Sequence, residues 1–348
     1  MSSLSSLLER LSNAVGVPGS EFEVREIIRE ELEPHMDKVY SDRLGNIIAF
    51  RASPEPKKRV MLAAHMDEVG FMVKLIDDDG FIKFTKLGGI DDRVLPAQRV
   101  VLHTEKGSRV LGIIGSKPPH IMKKEERKKV IEEKDLFIDI GARDKKEVEK
   151  MGVKIGDVIT FDVEFSRLTS DVVAGKAFDD RAGCAALIEA VRKLGGVELG
   201  CDLYAVGTIQ EEVGLRGAGT SAFDIYPDVA VALDVTVAGG TPGVKPFEAP
   251  IRMRKGPSIT VADRGLIAHP TVFRQLIEAA EEAKVPYQIE TGLPGSTDAA
   301  KISLTRGGVP SGVISIPTRY IHGPVSTLSL MDLEASSKIA VEFLKRVS

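Results

Sequence analysis

The chain has 348 residues, 43% of them hydrophobic, which is enough for a sizeable core in one large domain or two ordinary ones. Its 47 basic and 51 acidic residues leave a formal charge of −4, so there is no global basic field for nucleic acid or an anionic membrane. No stretch approaches the roughly 20 apolar residues of a membrane span, and the N-terminal segment is too charged for a signal peptide; a cytoplasmic protein acting on a small molecule or peptide is expected.

In chain order, 5–14 and 22–32 carry apolar residues at helical spacing. Short strands are predicted at 38–40 and 46–51. The next, 59–64, is almost continuously apolar, as in a strand buried on both faces. From about 70 to about 166 the texture changes to short β-type runs at 71–76, 81–85, 99–103, 110–114, 136–140 and 158–163, separated by Gly, Asp and Pro. Helices are predicted within this region at 123–134, which is highly charged, and at 144–151. Beyond about 170, strands at 202–208, 228–233 and 311–316 alternate with helices at 180–194, 271–283, 297–304 and 330–346. The expected fold class is α/β, a mixed and largely parallel sheet sandwiched by helices. The α/β domain would comprise 1–69 and 167–348, interrupted by a β-rich insertion at 70–166. Cys184 and Cys201 lack any CxxC spacing and read as small buried apolar residues. The absence of Trp together with 28% charged residues suits a thermophile.

Acidic and histidine residues gather where predicted strands end. The run 59–64 leads into His65-Met66-Asp67-Glu68, 202–208 into Ile209-Gln210-Glu211-Glu212, 228–233 into Asp234, and 311–316 into a segment containing His322. Asp179-Asp180 opens the helix that follows. The C-terminal edge of an open α/β sheet is where ligands collect. Two imidazoles and several carboxylates there suit a pair of hard-to-borderline divalent ions such as zinc, cobalt or manganese. Such a pair needs a shared carboxylate, and a general base that is not itself a ligand. Each piece alone has a bland reading: a His-x-Asp hydrogen bond, a solvated Glu-Glu pair, or acidic residues capping a helix. Their coincidence on one sheet edge favours the functional one. Spacing does not decide between Asp179 and Asp180. His35, His103, His120 and His269 have no comparable setting and read as structural or surface residues.

The segments Ala63-Ala64-His65-Met66-Asp67, Ala177-Phe178-Asp179-Asp180-Arg181, Gln210-Glu211-Glu212-Val213-Gly214-Leu215-Arg216-Gly217-Ala218, Ala232-Leu233-Asp234 and Arg319-Tyr320-Ile321-His322 resemble the metal-site motifs of the tetrahedral (TET-type) metallo-aminopeptidases. The likeness covers essentially the whole chain and keeps the motif order. It implies two divalent ions per subunit, zinc or cobalt. His65 and Asp234 would hold one, Glu212 and His322 the other, with Asp179 bridging. Glu211 would be the catalytic base, and Asp67 would orient His65. It further implies that the insertion is a PDZ-like dimerisation domain and that dimers build a hollow dodecamer that admits peptides. The loop 292–299 would shape the pocket for the first residue, with Gly295, Thr297 and Asp298 as candidate substrate-binding residues. Because 292–295 carries no charge, a neutral or hydrophobic first residue is expected. The rival readings are a di-metal carboxypeptidase-like enzyme or N-acyl-amino-acid deacylase on the same fold, and, more remotely, an inactive shell protein.

Overall fold

Residues 3–347 are described by the computed structural model of the chain. Helices α1 (Ser3–Asn13) and α2 (Phe22–Leu32) are followed by strands β1 (Lys38–Ser41), β2 (Ile47–Arg51) and β3 (Lys58–His65). Next come β4 (Gly70–Ile76), β5 (Ile82–Leu87), β6 (Arg99–His103), β7 (Arg109–Gly115), β8 (Phe137–Asp139), the short helix α3 (Lys145–Lys150) and β9 (Val158–Phe161). The chain then runs through β10 (Ser166–Arg167), β11 (Val172–Gly175), α4 (Phe178–Leu194), β12 (Cys201–Thr208), α5 (Arg216–Ile225), β13 (Val229–Val237) and β14 (Ser258–Asp263). It closes with α6 (Pro270–Glu282), β15 (Gln288–Leu293), α7 (Asp298–Ser303), β16 (Ser311–Arg319), β17 (Ser326–Ser329) and α8 (Leu330–Val347).

The large sheet runs β1-β2-β12-β3-β13-β16-β17-β11-β10, with β14 on β16 and β15 on β14. The four central strands β12, β3, β13 and β16 are mutually parallel. Their neighbours on either side join antiparallel, and β15 lies parallel to β14 at the margin, so the sheet is mixed and the expected parallel order holds chiefly at its centre. The reason is connection length: β1 joins β2 through a short loop, which permits only antiparallel pairing, whereas parallel neighbours require crossovers. The central strands are buried along nearly their whole length, as their unbroken apolar sequence demands. Helices α1, α2, α4, α6 and α8 cover one face and share its core, and α5 and α7 cover the other. α4 is buried almost all round, which its Ala- and Leu-rich sequence allows.

Strands β4 to β9 close into a six-stranded barrel with its own apolar core, centred on Phe71, Phe84, Ile138 and Phe161. The helix expected at 123–134 does not form there; that stretch holds only two single 3-10 turns, Glu126–Lys128 and Glu133–Asp135. Nearly every side chain in it faces solvent, so no packed face offsets the cost of helix nucleation. The helix expected at 144–151 is present as α3, capped by Asp144, whose carboxylate accepts from the Glu147 N–H. Among the described residues no helix is long and apolar enough to cross a membrane.

Candidate metal centre

The parallel strands align so that their C-terminal ends form one edge. His65 is the last residue of β3 and pairs in register with Thr208, the last of β12, which places the Glu211-Glu212 loop beside it. Asp234 departs from the expectation: β13 continues through Val237, so Asp234 lies within the strand, opposite Ser315 of β16. His322 follows β16, and Asp179 lies at the start of α4, where Asp179 and Asp180 have non-helical backbone and the peptide between them is cis. The loops that deliver these side chains contain the non-glycine residues Ala177, Gln210, Tyr320 and His322 in left-handed conformation. Backbone of this kind persists only where the surroundings dictate it, and it concentrates at functional sites.

The side chains meet around Asp179. One of its oxygens lies 3.1 Å from His65 Nε2 and the other 3.2 Å from His322 Nε2. His322 Nε2 is also 3.2 Å from Glu212 Oε2, and His65 Nε2 is 4.0 Å from Asp234 Oδ1. Two groups result, His65-Asp179-Asp234 and Asp179-Glu212-His322, each with ligand atoms within 4.8 Å of one another. Asp180 takes no part in either. Its carboxylate is fully buried and accepts from the backbone N–H of His65 and of Gly183. The two neighbours thus face different surroundings.

Asp67 is also fully buried and works on two sides. Its carboxylate accepts from the N–H groups of Glu211, at 3.0 Å, and of Glu212, at 3.1 Å, pinning the Glu-Glu loop. His65 Nδ1 is 3.1 Å from the Asp67 carbonyl and 3.6 Å from its carboxylate, so the backbone makes the closer contact to the ring. Sequence reasoning missed Glu21, which accepts from Gln210 N–H and holds the same loop from below. It also missed the barrel's approach at Gly88 and Gly89. A Cβ on Gly88 would stand 3.3 Å from Glu212 Oε2, and one on Gly89 would stand 3.4 Å from His322 Nδ1. Gly88 has φ +90°, so glycine serves both the turn and the close packing.

Burial dominates the electrostatics. It pushes the carboxyls of Glu211, Asp234 and Asp180 well above their ordinary range, and neighbouring carboxylates add to the effect. Asp298 rises to about 6, chiefly through burial. Burial opposes a charged imidazole at His322, yet the hydrogen bonds to Asp179 and Glu212 outweigh it and raise that ring to about 11. The cluster therefore holds more acid than its two imidazoles balance, and among the described residues no Lys or Arg lines the cavity beside it. Glu212 Oε1 is buried with no hydrogen-bond partner among the described residues. Two imidazoles, several carboxylates and a spare buried oxygen fit a pair of hard-to-borderline divalent cations.

A cavity of about 430 Å³ opens onto this cluster. Glu211, Gly295 and Thr297 line it, whereas Asp298 is buried beneath, where it accepts from the Thr208 hydroxyl. The expectation of an uncharged pocket rested on 292–295 alone. Of that loop Pro294 and Gly295 belong to the lining, which also includes two acidic residues that sequence reasoning missed, Glu290 and Asp263. Of the remaining histidines, His103 bonds Thr160 on the neighbouring strand β9 and His269 caps α6 through Thr271 N–H. Both cysteines are buried and unpaired.

An α/β sheet with such a cluster at its C-terminal edge defines the class as a candidate metal-dependent hydrolase. Residues 45–339 match the model of the M42 glutamyl aminopeptidase family, and the chain belongs to that family. A putative aminopeptidase of Acetivibrio thermocellus is 43% identical over 336 residues, 97% of either chain. The solved TET aminopeptidase of a marine sediment Thaumarchaeota archaeon superposes with a TM-score of 0.96 at 44% identity, covering 99% of this chain and 96% of that one. The Pyrococcus horikoshii TET1 peptidase, which can assemble into a tetrahedron or a large octahedral shell, gives 0.87 at 36% identity over 98% and 99%. The chain is accordingly an aminopeptidase, a hydrolase of the exopeptidase class.

Proposed function

We propose that this aminopeptidase removes N-terminal residues from peptides with two divalent ions, zinc or cobalt, one held by His65 and Asp234 and the other by Glu212 and His322, with Asp179 shared. The observation that carries this reading is the Asp179 carboxylate, one oxygen facing each imidazole. When bound, such ions polarise a scissile carbonyl and make water acidic enough to attack at neutral pH. Glu211 lines the cavity and belongs to neither ligand group, which suits it to take the water's proton and return it to the leaving amine. Asp67 fixes Glu211 and Glu212 through their backbone and abuts His65, so it is a positioning residue for both. Thr297 and Gly295 border the substrate's first residue.

We further propose that the protein is a homo-oligomer, a dodecamer built from dimers, with the barrel as the dimerisation module. The exposed apolar side chains Leu75, Leu111, Ile113 and Ile155 on the barrel support that assignment, as does the assembly named for the TET1 neighbour. The test of the catalytic reading is hydrolysis of aminoacyl-p-nitroanilides before and after EDTA, with cobalt or zinc added back and N-acetylated substrates as controls. Activity that needs metal and a free amine supports it. Preference for acylated substrates would move the reading to a deacylase.

A further inference from the structure

We propose that Glu290, assisted by Asp263, selects a basic side chain, lysine or arginine, at the first residue of the substrate. This rests on the aminopeptidase reading above and concerns the same cavity. Asp234 and Thr236 are two apart on β13 and therefore project from one face of the sheet, separated by about 6.6 Å of strand rise. Asp234 belongs to the His65 ligand group, and the Thr236 hydroxyl donates to Glu290. The same cavity is thus lined by the metal cluster, where a substrate's α-amine and carbonyl would sit, and by the Glu290 carboxylate.

Glu290 is only 2% exposed, yet it lines the cavity. Its other oxygen accepts from the hydroxyls of Ser258, at 2.7 Å, and Thr260, at 3.4 Å. All three of these partners are neutral, and among the described residues neither Lys nor Arg lines the cavity. A buried carboxylate is ordinarily matched by a cation. Here the hydroxyls hold it in place and leave its charge to be balanced from the cavity side. Asp263 adds a second acidic group. One of its oxygens accepts from Gly265 and Leu266 N–H, and the other is buried with no hydrogen-bond partner among the described residues. A lysyl ammonium on its four-carbon stem, or an arginyl guanidinium, supplies the missing charge and donors. An apolar first residue of equal length fills the space and leaves both carboxylates unmatched, and an acidic one is repelled.

The discriminating pair is lysine against norleucine, equal in stem and differing in the ammonium. For the metal-loaded enzyme, kcat/KM for lysyl-p-nitroanilide should exceed that for the norleucyl substrate by about 10- to 100-fold, the usual worth of a charge-assisted hydrogen bond. Calorimetric titration with the free amino acids should rank them the same way without needing turnover. Glu290→Gln, with its fold checked by circular dichroism, should collapse that ratio, and Asp263→Asn should lower it less. Should Glu290→Gln not fold, the wild-type and Asp263→Asn ratios decide. Norleucine equal to or better than lysine in both measurements, or a ratio unchanged in a folded Glu290→Gln, would overturn the proposal. Hydrolysis of neither substrate would overturn the aminopeptidase reading instead, with the titration still deciding the specificity.

Discussion

Glu211 and Glu212 are adjacent in sequence and differ in circumstance. Glu212 sits 3.2 Å from His322 within a ligand group, while Glu211 lines the cavity outside both groups. Glu211→Gln keeps the shape and the loop's bonds to Asp67 and removes only the base. Its kcat is expected to fall by about 10²- to 10⁴-fold, with metal content by atomic emission unchanged; loss of both ions would refute the division of roles. The residues of the cluster were legible in the sequence because each lies at or near the end of a recognisable strand or the start of a helix. Their surroundings were less so. Asp234 sits mid-strand, because β13 outruns its apolar stretch. Asp180 turns inward to bind His65 N–H. Glu290 acquires its setting from hydroxyls on β13 and β14, which are distant in sequence and come together only through strand pairing.

At the scale of elements, the cluster is braced by a buried ionic knot. Arg181, on α4 directly after the Asp179-Asp180 pair, is fully buried. It donates to the carbonyls of Leu11, Ala14, Gly16 and Met66 and to Glu68, which Lys176 also grips. The knot ties the end of α1 to the segments carrying His65 and Asp179. Arg181→Met removes the donors while leaving Glu68 and the carbonyls in place, and should cost about 3–5 kcal/mol in urea unfolding; a change below about 1 kcal/mol would show the knot to be incidental. The barrel carries a partly buried titratable group, His103. Burial, aided by Arg109, lowers His103 from 6.5 to about 4. The unfolded chain therefore binds a proton at a higher pH than the folded one does, and this group's contribution is complete above pH 6.5 and is lost as pH falls toward about 4. His103→Gln should flatten the dependence of the melting temperature on pH in that window, and an unaltered slope would contradict the assignment. The strands β14, β15 and β17 and the edge pair β10 and β11 were not legible, because short segments at the margins of a sheet carry little periodicity of their own.

Across the whole molecule, the barrel does more than interrupt the α/β domain. Its Gly88-Gly89 turn packs directly on Glu212 and His322, so barrel and site are physically continuous. The barrel also exposes Leu111 and Ile113, two apart on β7 and therefore on one face. If these are dimer contacts, Leu111→Lys with Ile113→Lys should shift sedimentation from a dodecamer of the 37.6 kDa chain to smaller species. A wild-type protein sedimenting as a monomer would refute the assembly outright. The fold class was legible from alternating strands and helices, whereas the antiparallel flanks depended on connection lengths that texture alone does not reveal.

The central claim is that one carboxylate, Asp179, joins two metal-binding groups, and metal stoichiometry tests it most directly. Protein stripped with EDTA is titrated with zinc or cobalt while bound metal and hydrolysis of a free-amine substrate are followed together. Two ions per chain are expected, with full activity reached only as the second binds, and His322→Ala should retain one. A single ion per chain at full activity, or full activity with none, would contradict the account.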